Sequence, residues 1–148
     1  AARAAATTPL NLSALHARTE YGSFVHVGFG CLESNTYASS TAAMEIPLPT
    51  GARLVGVYAK FTDDSPQDFS LYLVRVNFWN GIRSEAGAAS ATTAALPGTG
   101  FVNVPLFSTA LANTVRNDQT FYLRASTVNH WGGPPLLFCG LQVEYTLP

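Results

Sequence analysis

Over the last stretch of the chain, from Leu136 to Thr146, apolar residues recur at every second position. Leu137, Cys139, Leu141, Val143 and Tyr145 share one side, and from Gln142 onward the other side turns polar. Side chains of a β-strand point alternately to its two faces, so this period predicts a strand with one buried face. Such a strand needs a sheet to receive it. Further β-rich stretches, at residues 23–29, 41–46, 53–61, 69–78, 101–106 and 119–126, supply one. Pro47, Pro49, Gly51, the polar run 63–66, Asn80-Gly81 and the run 131–135 punctuate them as turns. Residues 86–96 are small and carry threonines, Gly87 and the flanking Pro97-Gly98, which favour a lightly packed strand over a helix. Roughly eight short strands and no convincing helix predict an all-β, jelly-roll-like antiparallel β-sandwich.

The chain has 148 residues, enough for one domain with a single core. Residues 1–20 read differently from the rest. Pro9 and the alternation of Leu10 and Leu12 favour an extended N-terminal arm, docked on an edge, ahead of one β-sandwich domain at 21–148. No internal repeat or charge run divides that domain.

Charged residues make up only 11% of the chain, against about 25% in average soluble proteins. Lys60 is the one lysine, beside seven arginines, and the net charge is −1. With no basic cluster, nucleic acid is not an expected partner. No apolar run approaches the roughly 20 residues of a membrane-spanning helix. A chain opening Ala1-Ala2-Arg3 without methionine has the start of an exported protein freed of its leader, which predicts a secreted or cell-surface location.

Cys31 and Cys139 lie too far apart for a metal-binding knuckle. In an exported protein they are expected to form one disulfide between an early strand and the last, the alternative being two buried thiols.

Pro49-Thr50-Gly51-Ala52-Arg53-Leu54 forms a turn entering an apolar strand. It is followed by the acidic turn Thr62-Asp63-Asp64-Ser65 and the strand Leu71-Tyr72-Leu73-Val74-Arg75. With the closing Cys139-Gly140-Leu141-Gln142-Val143-Glu144-Tyr145-Thr146, this pattern resembles bacterial exported single-domain β-sandwich proteins of unknown function, over residues 45–148. The resemblance implies a secreted or surface-located sandwich and brings no catalytic residues with it.

No motif for nucleophilic catalysis or phosphate binding occurs, so no catalytic residue, metal or cofactor is expected. His16, His26 and His130 lack ligand spacing. Asp63, Asp64 and Asp68 could offer oxygens to Ca²⁺, but turn capping is the expected role. Two functions remain. The first is a non-enzymatic structural subunit, a homo-oligomer or polymer of fibre, shell or surface-layer type. In it Pro9, Leu10, Leu12 and Leu15 of the arm would complete a neighbour's sheet edge by strand addition. The alternative is a carbohydrate-binding module whose glycan stacks on loop aromatics, chiefly Trp79 and Trp131.

Overall fold

A computed structural model describes residues 6–27, 30–34, 39–79, 82–94, 98–127 and 136–148, with the backbone alone at Trp79. Its strands are β1 (Thr7–Ser13), β2 (Arg18–Tyr21), β3 (Phe24–Val27), β4 (Cys31–Ser34), β5 (Ser40–Ile46) and β6 (Arg53–Asp63). They continue as β7 (Phe69–Trp79), β8 (Ile82–Gly87), β9 (Ala91–Thr92), β10 (Gly98–Asn103), β11 (Gln119–Thr127) and β12 (Leu136–Thr146). One 3-10 turn, Ala14–His16, joins β1 to β2. All strand pairs are antiparallel.

Two six-stranded sheets pack face to face. Sheet I runs β10-β6-β12-β4-β3, with β1 and β4 sharing the same edge of β12. Sheet II runs β2-β5-β11-β7-β8, with β8 and β9 sharing the far edge of β7. From β4 to β7 the chain crosses between sheets at each connection, and it does so again from β9 through β12. The result is the jelly-roll-like sandwich that the alternation predicts.

The inner faces carry the core. Leu54, Val57, Ala59 and Phe61 of β6 meet Phe138, Leu141 and Val143 of β12 within sheet I. Opposite them lie Met44, Ile46, Phe69, Leu71, Leu73, Phe121 and Leu123 of sheet II. Phe69 and Phe138 bridge the two sheets edge to face, with ring centroids 6.2 Å apart. Each fully buried Phe or Leu contributes about 1.5–3 kcal/mol relative to exposure, so this row is the main source of cohesion.

The phase of β12 departs from the sequence expectation. Phe138 pairs with Phe61 and Gly140 with Lys60, so Cys139 is an extra residue bulged out of the ladder. A one-residue slip turns every side chain to the other face. Leu136 and Phe138 are therefore the core residues before the bulge, whereas Leu137 and Cys139 are only partly buried; beyond it Leu141 and Val143 face inward as expected. Cys139 is thereby turned toward Cys31 of β4, and the two form the disulfide.

Residues of the arm pair within their own chain. β1 runs along β12 from Thr7–Thr146 to Ser13–Gly140. Leu10 and Leu12 pack against the core, Pro9 is exposed and Leu15 is 60% exposed. β2 then pairs with β5 in the other sheet. Gly140 (φ 148°) permits this docking, because a Cβ there would lie 2.2 Å from the Leu12 carbonyl oxygen. The stretch expected as one strand at 86–96 instead holds, among its described residues, the end of β8 at Ala86–Gly87 and the separate short strand β9.

The disulfide closes a loop of 108 residues, for which chain entropy sets an upper contribution of about 4–5 kcal/mol. Urea unfolding of the Cys31→Ser/Cys139→Ser double variant is expected to show a lower midpoint than the oxidised protein. Adding a reductant to the native protein should reproduce that shift.

Candidate binding face

The outer face of sheet II gathers polar and aromatic side chains from five strands. Register explains how. Along β11, Thr120, Tyr122 and Arg124 point outward. Their cross-strand neighbours are Val76, Val74 and Tyr72 on β7, with Glu45 and Ala43 on β5 opposite Tyr122 and Arg124. On β8, Glu85 stands opposite Val76 and Arg83 opposite Phe78. β2 adds Arg18 and Glu20 beyond β5.

Arg124 is the hub. Its Nε and Nη2 donate to the two carboxylate oxygens of Glu20, each at 3.2 Å, in a two-pronged pair. Ala43, opposite Arg124, is small enough for the guanidinium to pass over β5 and reach β2. Nη1 donates to the Tyr72 hydroxyl at 3.2 Å, and Nη2 also reaches Glu85 at 3.4 Å and the Tyr122 hydroxyl. The Tyr122 hydroxyl donates to Glu85 at 2.9 Å, and Arg83 pairs with the same carboxylate. The guanidinium lies 5.2 Å from the Tyr122 ring centre and 5.7 Å from that of Tyr72.

These contacts set the charge states. Burial and the bond to Glu85 push the Tyr122 hydroxyl up to about 12. Desolvation alone raises Glu85, but the Tyr122 hydroxyl and the Arg124 and Arg83 charges outweigh it and hold the carboxyl below its ordinary value. Burial works against the Arg124 charge, yet the bonds to Glu20 and Tyr72 raise its pKa further. Beneath the network Ala43, Val74, Val76 and Tyr122 form a small second apolar cluster.

Beside the hub lies a cleft of about 510 Å³. Val76 and Tyr122 line it with the half-exposed Phe78, and Arg18, Glu45, Arg83 and Thr120 supply polar groups. The face carries Arg18, Arg83 and Arg124 against Glu20, Glu45 and Glu85. Six of the 17 charged residues of a charge-poor chain thus gather on one face and cancel. The arrangement offers flat apolar surface, fixed donors and acceptors, and no net field.

The residues singled out from sequence fall elsewhere. Trp79 ends β7, paired with Ile82 of β8, while Trp131, His130 and the Asn80-Gly81 turn lie outside the described residues. His16, in the 3-10 turn, and His26, on β3, are both exposed. Asp63 is buried at the inner end of β6, where it accepts hydrogen bonds from the Thr93 hydroxyl and the Ser65 amide. Asp64 is exposed. The Asp68 carboxyl is raised by burial and by its bond to, and the charge of, Asp63. Among the described residues no three His, Cys, Asp or Glu side chains group as metal ligands would. Nor is any helix there long and apolar enough to cross a membrane.

No protein-family model matches the chain, and no curated protein does. Among solved structures it is similar to a family two carbohydrate esterase from Cellvibrio japonicus, at 9% identity and a TM-score of 0.42, over 98% of this chain and 36% of that one. It is also similar to the GH26-CBM35 beta-(1,4)-mannanase of Podospora anserina, at 16% identity and a TM-score of 0.38, over 95% and 28%. The chain spans about a third of the length of these proteins.

Because the folded state binds Glu85's proton less tightly than the unfolded chain, the contribution of this carboxylate is complete above its unfolded pKa. It is lost as pH falls through the folded value. Glu85→Gln is expected to flatten the decline of thermal stability between roughly pH 5 and pH 3. A melting series across that range reads the difference, and parallel curves for variant and parent would contradict the assignment.

Proposed function

We propose that this protein is a non-enzymatic domain, working outside the cytoplasm, that binds a neutral carbohydrate on the outer face of sheet II. The observation that carries the reading is the cleft beside Phe78 and Tyr122, set in a face whose three Arg and three Glu side chains cancel. A sugar presents C–H surfaces that match ring faces and hydroxyls that both donate and accept. Arg18, Arg83, Glu45 and Thr120 stand where such hydroxyls would meet them. An uncharged ligand suits a face whose charges cancel. The hub fixes the Tyr122 and Arg124 rotamers beforehand, which lowers the ordering cost of binding. The disulfide supports an oxidising compartment.

Titration of the intact protein with a panel of neutral oligosaccharides is expected to yield saturable binding to at least one class by calorimetry. Phe78→Ala should then weaken that binding by about tenfold, the equivalent of one lost ring contact. A panel without a single binder, or a Phe78→Ala variant that binds undiminished, would remove the reading.

Self-association is the second reading, and a specific observation favours it. Edge strands β10 and β8 expose apolar side chains, Phe101 at 52% and Ile82 at 70%. Open edges with apolar side chains are sites of edge-to-edge pairing. With β1 seated on its own β12, these edges rather than Leu10 and Leu12 would be the contact. Native mass measured over a range of concentrations should show oligomers that Ile82→Lys or Phe101→Lys disperses; a monomer throughout rejects this route.

A further inference from the structure

A second cavity, of about 520 Å³, lies under the β10–β11 connection at the rim of the sandwich. Arg75 and Asn77 of β7, Gln119 of β11, and Thr109, Arg116 and Asp118 of the connection line it. The inward row of β7 runs Leu71, Leu73 and then Arg75, so the apolar core ends at a guanidinium.

That guanidinium is held but barely used. It stacks 5.2 Å from the Phe107 ring centre, and its Nη1 donates to the Ala112 carbonyl at 3.4 Å. No carboxylate pairs with it among the described residues, whose ion pairs involve Arg83, Arg116 and Arg124. Among the described residues three buried side-chain polar atoms lack a hydrogen-bond partner, and two of them, Arg75 Nε and Gln119 Oε1, belong to residues of this cavity. Native proteins rarely leave such groups unmatched without a reason.

The walls are fixed. Asn113 is buried and donates to the Phe107 and Thr109 carbonyls at 2.9 and 3.0 Å, while its Oδ1 accepts from the Phe107 amide at 3.0 Å. The Asp118 carbonyl accepts from the Phe78 amide at 2.7 Å, tying the other end of the connection to β7. Arg116 is half-exposed and stands 3.7 Å from Asp118. Arg75 and Arg116 against Asp118 leave one net positive charge.

We propose that this cavity is an anion site for a hydroxylated monocarboxylate of sugar size, a uronic acid. A planar guanidinium fork matches a carboxylate, and a single net charge suits a monoanion over a dianion, which Asp118 would repel. Asn77, Thr109 and Gln119 supply partners for ring hydroxyls, and the volume lies within the range of small-molecule sites. The site is separate from the sheet II face and stands or falls without it.

The test is amide chemical-shift titration of the intact chain with D-glucuronate, with D-glucose and with sulfate. Glucuronate is expected to give saturable shifts centred on residues 105–119, and glucose none there at equal concentration. Arg116→Gln, at an exposed position that leaves the core untouched, should weaken glucuronate by about tenfold or more. Arg75→Gln should abolish the shifts in a chain whose remaining spectrum stays folded. Absence of saturable shifts, shifts confined to the sheet II face, equal response to glucose, tighter binding of sulfate, or an Arg116→Gln variant with unchanged affinity would each overturn the assignment.

Discussion

The bulge at Cys139 is the constraint on which the other features of this sandwich depend. One extra residue in β12 relative to β6 lets Phe138 and Leu141 both face the core, although three positions separate them. It turns Cys139 away from the core and toward Cys31, making the disulfide possible. Next to it, Gly140 has no side chain to obstruct the Leu12 carbonyl, so β1 can lie along the same edge that β4 begins. β12 is thereby paired on both sides, with β6 along one edge and β4 followed by β1 along the other. The partners of β12 all lie more than 70 residues away in sequence, a pattern of non-local contacts that slows folding.

Sheet II solves a different problem with scarce material. Its outer face has an apolar floor of Ala43, Val74, Val76 and Tyr122, which water would otherwise cover. Arg124, Glu20 and Glu85 lie over that floor, so their stems and the tyrosine rings shield it while their charged ends face out. Exposed ion pairs contribute only about 0–1 kcal/mol each. The consequence of this network is therefore geometric more than energetic: it holds Tyr72, Tyr122 and Arg124 in single positions across four strands.

Legibility in the sequence follows the same division. β5, β6, β7, β11 and β12 were readable because their inner faces are apolar and the two-residue period shows. β2 is exposed along its whole length and β8 nearly so. Such edge strands are held by backbone hydrogen bonds that leave no side-chain pattern, so β2 read as part of an arm and residues 86–96 as one strand. The bulge had a signal, since a glycine inside a strand pattern marks such irregularities, and Gly140 was that glycine. The binding face had none. Arg18, Glu20, Glu45, Arg83, Glu85 and Arg124 come from four strands and form no motif, and only the register makes them neighbours. Asp63 read as a turn aspartate because the acidic run around it is polar; its inward side chain follows from Thr93, thirty residues on, receiving it.

The two proposed sites are built on one piece of backbone. Val76, Phe78 and Thr120 line the outer cleft, while Arg75, Asn77 and Gln119 line the rim cavity. These residues alternate along β7 and adjoin along β11, so the strand period alone assigns one set to a neutral face and the other to a positive cavity. A slip of β11 by one residue would bury Arg124 and Tyr122's polar ends in the core and expel Phe121 and Leu123. Arg124 opposes that slip, because its bonds to Glu20, Tyr72 and Glu85 form only in the observed register. The hub beside the cleft thus also preserves the cavity on the opposite side of the sheet, and the separation of charge between the two is a property of the register itself.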